Sequence, residues 1–282
     1  MASSSNLKKE INSINSIEKI TQAMQLVATA KLKKIVKIIV NSKPYFSEIY
    51  TVFNDIISNS EASIYQKDPN KKVKKTAWVI INSNLGLCGG YNINLNKKVV
   101  NQIKQNDYVI VFGKKGKSFY EGNGIKINEC IIDYDINFTY EDARSISSEL
   151  LGKYNNLEFD EIKIAYTKFI NNITFEPEVI SLLPIEKKQT NNAKDLILTE
   201  FEPNAEKVLE NSMSLYVNSI LYSSVIESQV SEQASRRSAM ENATNNANDM
   251  LDDLTLEYNR KRQSAITQEI SEIVGGVNAQ ND

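Results

Sequence analysis

The first sixty residues carry a narrow apolar stripe of helical periodicity. Apolar side chains recur three or four positions apart, and lysines and other polar residues fill the positions between them. The stripe consists of Leu7, Ile11, Ile14, Ile17, Ile20, Met24, Ala28, Leu32, Ile35 and Ile39. A stripe this narrow is typical of a coiled-coil seam. The segment has no glycine and a single proline, Pro44, and the apolar spacing goes on to Ile57. We therefore predict a helix that continues past Pro44 with a kink there.

The C-terminal segment has the same character over a longer run. Residues Ser231 to Ala279 contain no proline, and their only glycines are Gly275 and Gly276 at the far end. Because proline and glycine interrupt helices, this run predicts one uninterrupted helix, which begins near Pro203. Its predicted seam contains Val208, Met213, Tyr216, Ile220, Val230, Ala234, Ala243, Ala247, Leu251, Leu254 and Tyr258.

Between these helical segments the pattern changes to short β-branched runs that alternate with amphipathic stretches. Five runs predict strands: Ala77–Asn82, Tyr108–Gly113, Ile125–Ile132, Glu161–Thr167 and Glu178–Leu183. Two stretches have helical spacing, namely Leu95–Ile103 and Glu141–Tyr154. Alternation of strands and helices predicts an α/β layer with a largely parallel sheet. The polar run Lys187–Lys194 predicts a linker to the C-terminal helix.

The order of the segments predicts a fold of the α/β class with two long helices at its ends. Neither helix is stable alone in water, because an isolated helix needs a packing partner for its apolar face. The economical arrangement pairs residues 1–60 with residues 203–282 as a long antiparallel two-helix coiled coil. The α/β domain, residues 75–190, is then inserted between the two helices.

Composition excludes several classes of function. Among the 282 residues, 33 are Lys or Arg and 35 are Asp or Glu, so the net charge of -2 predicts no broad attraction to nucleic acid. No apolar run is long enough to span a bilayer, and the polar N-terminus resembles neither a secretory signal nor a transit peptide. The chain is expected to be cytoplasmic, with peripheral membrane attachment left open.

Candidate chemistry is sparse. There is no histidine, which removes the commonest general base and the commonest metal ligand. The two cysteines, Cys88 and Cys130, are distant in sequence, so we expect buried, reduced thiols and no zinc site. No catalytic residue, cofactor or metal is expected on this chain.

Two glycine motifs follow predicted strands. Gly116-Lys117-Ser118 suggests a phosphate loop, but the first glycine of that motif would have to stand at position 111, which is Val111. We predict a basic surface turn there instead. The run Gly86–Gly90 lacks the dinucleotide-binding spacing, so it predicts a tight turn with a buried thiol.

Motifs along nearly the whole chain resemble one family, the gamma subunit of F-type rotary ATP synthases. They are Ile20-Thr21-Gln22-Ala23-Met24 with Val27-Ala28, the run GLCGGYNIN at Gly86–Asn94, Lys168-Phe169-Ile170-Asn171, Glu232–Arg236, Tyr258–Gln263 and Ile266–Glu269. The motifs occur in the family's order and at its spacing, which makes the combined resemblance specific.

The resemblance implies a coiled-coil shaft with an inserted Rossmann-like α/β domain at its foot. The shaft would turn inside a hexamer of alternating alpha and beta subunits, one copy per hexamer, and the hexamer would hold the nucleotide sites. Residues that match family positions for contacts with the hexamer are Met24, Lys31, Arg236, Arg262, Gln263, Thr267 and Glu269. Met24 and Lys31 would lie near the acidic lever of the beta subunits, and the others at the catch loops. Phe201 and Glu202 would face the epsilon subunit and the membrane rotor ring of c subunits.

This resemblance implies a non-catalytic subunit of a bacterial complex on the cytoplasmic face of the cell membrane. The implied function couples rotation to ATP synthesis or hydrolysis and to proton flow. An F-type-like ATPase motor without a proton-conducting ring is a second interpretation, and a passive coiled-coil scaffold is a third. Val277 and Phe201 depart from the family pattern, and the α/β domain diverges most. The coupling ion, the direction in vivo and the partner at the foot stay open.

Overall fold

The structure is a computed structural model that describes residues 4–59, 65, 73–132, 134, 137–171, 174–185, 202 and 204–281. The helices are α1 (Ser4–Asn59), α2 (Tyr91–Val99), α3 (Lys114–Gly122), α4 (Tyr140–Asn155) and α5 (Ala205–Asn281), and a 3-10 turn, Val100–Gln102, follows α2. The strands are β1 (Thr76–Ile81), β2 (Tyr108–Phe112), β3 (Glu129–Ile131), β4 (Glu161–Phe169) and β5 (Phe175–Leu183).

The two terminal helices confirm the predicted helical segments. Helix α1 has 56 residues and passes through Pro44 without ending, although a kink at that residue stays a prediction. Helix α5 has 77 residues and continues through Gly275 and Gly276. Within the described ranges, no helix combines the length and the apolar character that crossing a bilayer requires.

The five strands form one sheet in the order β3-β2-β1-β4-β5. Strand β1 is parallel to β2 and to β4, β2 is parallel to β3, and only β5 is antiparallel. The predicted parallel-dominated sheet is confirmed. Strand β3 is shorter than the predicted run Ile125–Ile132, and the predicted linker Lys187–Lys194 lies outside the described residues.

Side chains of the sheet alternate between two apolar cores. Ala77, Val79 and Ile81 face one core, which includes residues of α4 and the first part of α5. Trp78 and Ile80 face the other core, where residues of α2 and α3 pack. All six residues of β1 are buried, as expected of a central parallel strand that is covered on both faces.

Helix α3 corrects the prediction of a basic surface turn after β2. Gly113 has a φ of 86°, and the chain turns there directly from β2 into the helix. A Cβ at Gly116 would lie 2.4 Å from Asn82 Oδ1 and 2.6 Å from Val111 Cγ1, so the helix packs too closely for any side chain. The prediction was wrong because this close approach depends on residues that are distant in sequence.

The chain divides into two compact units, residues 1–28 with 237–282, and residues 29–236. In the first unit the apolar stripe of α1 does not stay buried throughout. Ile17 and Ile20 are 48% and 59% exposed, whereas Thr21 is buried and its hydroxyl lies 2.8 Å from the Thr244 hydroxyl. The assignment of Ile17 and Ile20 to the seam was therefore wrong.

The buried and partly buried positions of α1 explain this correction. Their successive separations along the helix are four, three, seven and seven residues. They are Leu7, Ile11, Ile14, Thr21 and Ala28. This spacing is a regular heptad pattern, in which Thr21 occupies a seam position despite its hydroxyl. Apolar character alone does not reveal such a position.

Candidate functional site

An α/β sheet with this strand order is expected to bind a ligand at the carboxyl ends of β1 and β4. The strand order reverses at β1, because β2 and β3 lie on one side and β4 on the other. In open α/β sheets, ligands bind in the crevice at such a reversal. In this chain, helix α5 makes hydrogen bonds to the end of β4 and to the loop after β1.

Three serines of α5 make the contacts in the crevice. The Ser231 hydroxyl donates to the Thr167 carbonyl oxygen at 3.0 Å, and the Ser235 hydroxyl donates to the Cys88 carbonyl oxygen at 2.6 Å. The Ser228 hydroxyl lies 2.7 Å from the buried Tyr91 hydroxyl. All three serines are buried, so these directional bonds hold α5 against the ends of β1 and β4. We call Ser228, Ser231 and Ser235 the serine clamp.

The loop after β1 is a tight turn around a buried thiol, as predicted. Leu87 and Gly89 have φ values of 60° and 56°, in the left-handed region. The Cys88 side chain is buried beside Ser83 and Asn92, and burial raises the pKa of its thiol. Cys130 is only partly buried, which corrects the expectation that both thiols lie in the core.

Arg236 fixes this loop from the side of α5. It is 7% exposed, its Nη1 atom lies 2.6 Å from Glu232 Oε1, and its Nη2 donates to the carbonyl oxygens of Leu85 and Gly86 at 3.2 and 3.3 Å. Burial raises the pKa of the Glu232 carboxyl, while the positive charges of Arg236 and Lys31 oppose that rise. The contact of Arg236 with another subunit stays a prediction, and the contacts seen here are within the chain.

The backbone of α3 supports no phosphate cradle. The first N–H groups already have acceptors, since Gly113 N donates to Ile131 O, Lys114 N to Asn84 Oδ1 and Lys115 N to Ser83 O. A phosphate loop needs such groups free to surround the phosphate. The three lysines of this helix therefore form a basic helix surface rather than part of a nucleotide site.

The remaining residues predicted to contact the hexamer lie on the long helices. Met24 is half-buried, Lys31 is exposed, and every side chain from 262 to 274 is exposed. The Thr267 hydroxyl donates to the Gln263 carbonyl oxygen within α5. Glu202 is exposed, and Phe201 lies outside the described residues.

Sequence reasoning missed the serine clamp and its partner Tyr91. The clamp residues follow helical spacing, at positions 228, 231 and 235, and alternate with the apolar residues that were assigned to the seam. Small polar residues at that spacing are a usable signal for a helix that packs on strand ends. Such a signal does not identify the carbonyl groups that accept the hydrogen bonds.

The fold and this site define an α/β protein in which a long helix of the same chain is hydrogen-bonded to the end of β4 and to the loop after β1. A family model described as ATP synthase matches residues 3–280. The ATP synthase gamma chain of Mycoplasma mycoides subsp. mycoides is 55% identical over 276 residues, covering 98% of each chain. The corresponding chain of Mycoplasma capricolum subsp. capricolum is 56% identical over 278 residues, covering 99% of each.

A solved structure shows the same fold. A chain of the Euglena gracilis mitochondrial ATP synthase, in the OSCP/F1/c-ring structure of rotational state 3, has a TM-score of 0.71 at 16% identity. The match covers 97% of this chain and 93% of that one. The chain belongs to the ATP synthase gamma-chain family. Its function is that of the central rotor shaft of an F-type ATP synthase.

Proposed function

We propose that this chain couples its rotation to ATP synthesis and hydrolysis in a hexamer of alpha and beta subunits, and to proton flow through a membrane sector. One observation carries the proposal: the C-terminal part of α5 is a helix whose side chains 262–274 are all exposed. Ile266, Ile270 and Ile273 are among them, at 45%, 56% and 67% exposure. An exposed apolar helix of this kind favours a surrounding partner.

Polar residues on the same stretch provide the proposed contacts with the hexamer. Arg262, Gln263, Thr267 and Glu269 hydrogen-bond loops of the alpha and beta subunits in particular rotary states. Met24 and Lys31 lie near the acidic lever of the beta subunits, and Arg236 contacts the catch loops. These roles rest on family resemblance, and exposure of all but Met24 and Arg236 supports them.

The proposed architecture is an antiparallel coiled coil of residues 1–60 and 203–282, with a Rossmann-like α/β domain at 75–190. The α/β domain lies at the foot, where Phe201 and Glu202 face the epsilon subunit and the ring of c subunits. The chain is then peripheral to the cell membrane, on its cytoplasmic face. A five-stranded sheet with four parallel strands supports the Rossmann-like part of the proposal.

Asymmetry supplies the mechanism. A single rod inside a threefold hexamer contacts its three catalytic sites differently, so each orientation stabilises a different set of open and closed sites. If the orientation of the shaft changes the affinity for nucleotide, nucleotide binding must change the preferred orientation by the same free energy. Rotation and ATP affinity are thereby coupled without any catalytic group on this chain.

The serine clamp suggests how torque reaches the foot. Apolar packing between α5 and the sheet is non-directional, whereas the bonds from Ser231 to Thr167 and from Ser235 to Cys88 fix one position along the helix and one angle around it. These bonds fix the α/β domain to the part of α5 that lies in the same unit, before residue 237. This part of the chain supports transmission of torque rather than its generation.

The test uses inverted membrane vesicles that carry the complete complex. Addition of ATP is expected to acidify the vesicle interior, and Arg262→Ala with Glu269→Ala is expected to slow both hydrolysis and acidification. Asp252→Ala, an exposed change on the same helix outside the proposed contacts, is the matched control and should leave both rates unchanged.

The outcomes separate the three interpretations. ATP hydrolysis that depends on this chain without any acidification would favour a dedicated ATPase motor. Hydrolysis by alpha and beta subunits that is indifferent to the double variant, with the chain still bound, would favour a passive scaffold and contradict the proposal.

A further inference from the structure

Helices α2 and α3, together with the connections on either side of β2, form a layer on one face of the sheet. We call residues 91–107 and 113–128 the basic layer. Leu95 and Tyr120 of this layer pack in the same apolar core as Trp78 of β1. Apolar residues of α1, α4 and α5 pack in the core on the opposite face of the sheet. The basic layer therefore covers the side of the sheet that these three helices leave free.

The basic layer concentrates positive charge. It contains seven lysines, no arginine and two acidic residues, so its net charge is +5 in a chain whose net charge is -2. Neither acid offsets the exposed lysines: Asp107 is buried and accepts from Trp78 Nε1 at 3.0 Å, and Glu121 Oε1 lies 3.9 Å from Lys117 Nζ. The other six lysines are exposed, and among the described residues none of them has a carboxylate within ion-pair distance: Lys97, Lys98, Lys104, Lys114, Lys115 and Lys126.

The layer is small enough for these charges to act together. Helices α2 and α3 have nine residues each, so each is about 14 Å long, and two adjacent helices are about 20 Å wide. The Debye length at 0.1 M ionic strength is about 10 Å. A charged surface that meets the layer therefore interacts with several lysines at once.

The composition of the layer favours a diffuse anionic surface over a protein partner. Protein interfaces are enriched in aromatic residues, methionine and arginine, and they are depleted in lysine. Within residues 91–128 there is no arginine, and the large apolar side chains that are exposed there reduce to Ile93. Clusters of four to eight basic residues are typical of surfaces that bind anionic lipid headgroups, because charge attracts such headgroups without fixed contacts.

We propose that the basic layer binds the surface of a bilayer that contains anionic lipids. Its ammonium groups lie among the lipid phosphates, and the contact stays at the level of the headgroups. The contact goes beyond the proposed shaft function, which attaches the chain to the membrane through other protein subunits. A test that uses only this chain and lipid therefore gives a result that is independent of that function.

Cosedimentation of the purified full chain with lipid vesicles measures the contact. Vesicles made of equal parts of phosphatidylglycerol and phosphatidylcholine should bind the chain saturably in about 0.05 M salt, and raising the salt to about 0.5 M should weaken binding at least about tenfold. Vesicles of phosphatidylcholine alone should bind at least about tenfold more weakly, because their surface carries no net charge.

A triple variant locates the attraction on the basic layer. Lys97→Gln, Lys104→Gln and Lys114→Gln together remove three charges and keep side chains of similar length at exposed positions. Since one lysine near an anionic surface strengthens binding about fivefold, the triple variant should bind the mixed vesicles at least about tenfold more weakly. Circular dichroism establishes that the variant is folded as the unmodified chain is.

The matched control removes the same charge from α1. Lys8→Gln, Lys9→Gln and Lys19→Gln change three exposed lysines outside the basic layer, so the net charge of the two triple variants is identical. The control should bind the mixed vesicles as the unmodified chain does.

Several results would overturn the proposal. Equal weakening by the two triple variants would assign the attraction to net charge rather than to the basic layer. Equal binding to both kinds of vesicle, or binding that does not respond to salt, would show that the contact is not electrostatic. No binding to the mixed vesicles would contradict a lipid partner and leave the layer to an acidic protein surface.

Discussion

Arg236→Met is expected to destabilise the chain strongly, by an amount that depends on pH. The substitution removes the ion pair with Glu232, leaves that buried carboxylate with Lys31 as its remaining opposing charge, and frees two carbonyl oxygens of the loop after β1. Breaking a buried ion pair by removing one partner costs about 3–5 kcal/mol. Methionine approximates the length of the lost side chain, so the packing term stays small.

The pH dependence follows from the pKa of Glu232. Burial already raises the folded-state pKa of this carboxyl, and loss of Arg236 raises it further. A raised folded pKa means that the stability contributed by this group is present below its unfolded pKa and is lost as pH rises through the folded pKa. The destabilisation of Arg236→Met should therefore be larger at about pH 8 than at about pH 5, because the raised pKa favours protonation of Glu232 as the pH falls.

Urea unfolding at the two pH values measures this effect. Trp78 is the only tryptophan and is buried in the same unit as Arg236, so its fluorescence reports on the relevant unfolding. Glu232→Gln combined with Arg236→Met should be much less destabilised than Arg236→Met alone and should lose the pH dependence. Arg262→Met, an exposed arginine, serves as the control. A cost below about 1 kcal/mol, or the same cost at both pH values, would refute the assigned role of the ion pair.

Three further outcomes are expected. Leu254→Ala should lower the free energy of unfolding of the isolated chain by about 2 kcal/mol, which is near the lower end of the range for truncating a leucine because Leu254 is only half-buried. Asp253 is exposed, so Asp253→Ala should not lower it. Equal melting temperatures of the two variants in thermal unfolding would place the seam on another face. Arg262→Ala should slow ATP turnover of the reconstituted hexamer with an unchanged circular dichroism spectrum of the chain, and unaltered turnover would mean that this side chain carries no coupling. Gly116→Ala should lower the free energy of unfolding by at least about 2 kcal/mol in urea, because the added Cβ would overlap Asn82 and Val111. Gly122→Ala is the control: its added Cβ meets no atom within 4 Å, so the change should be neutral or stabilising. Similar effects of the two substitutions would refute the close packing of α3.

The sequence alone determined the elements whose signal is local. A run from Ser231 to Ala279 without proline requires no tertiary information to be read as helix, and α5 continues through it. The same holds for β1, since a short β-branched run bounded by polar residues has few alternatives. The family motifs at Gly86–Asn94 and Glu232–Arg236 identified the chain as a rotor shaft because their order and spacing are specific.

Tertiary structure decided the features that depend on what each residue packs against. Thr21 rather than Ile20 is buried because the partner at that level is Thr244, and a hydroxyl pair satisfies both groups. Helix α3 exists as observed because Gly116 lies against Asn82, thirty-four positions earlier in the chain. The serine clamp and the buried Arg236 acquire their roles from carbonyl groups of distant loops. Local patterns set helix and strand because backbone preferences act over a few residues. Burial and hydrogen bonding across the fold depend on residues far apart in sequence, and only the folded chain brings these together.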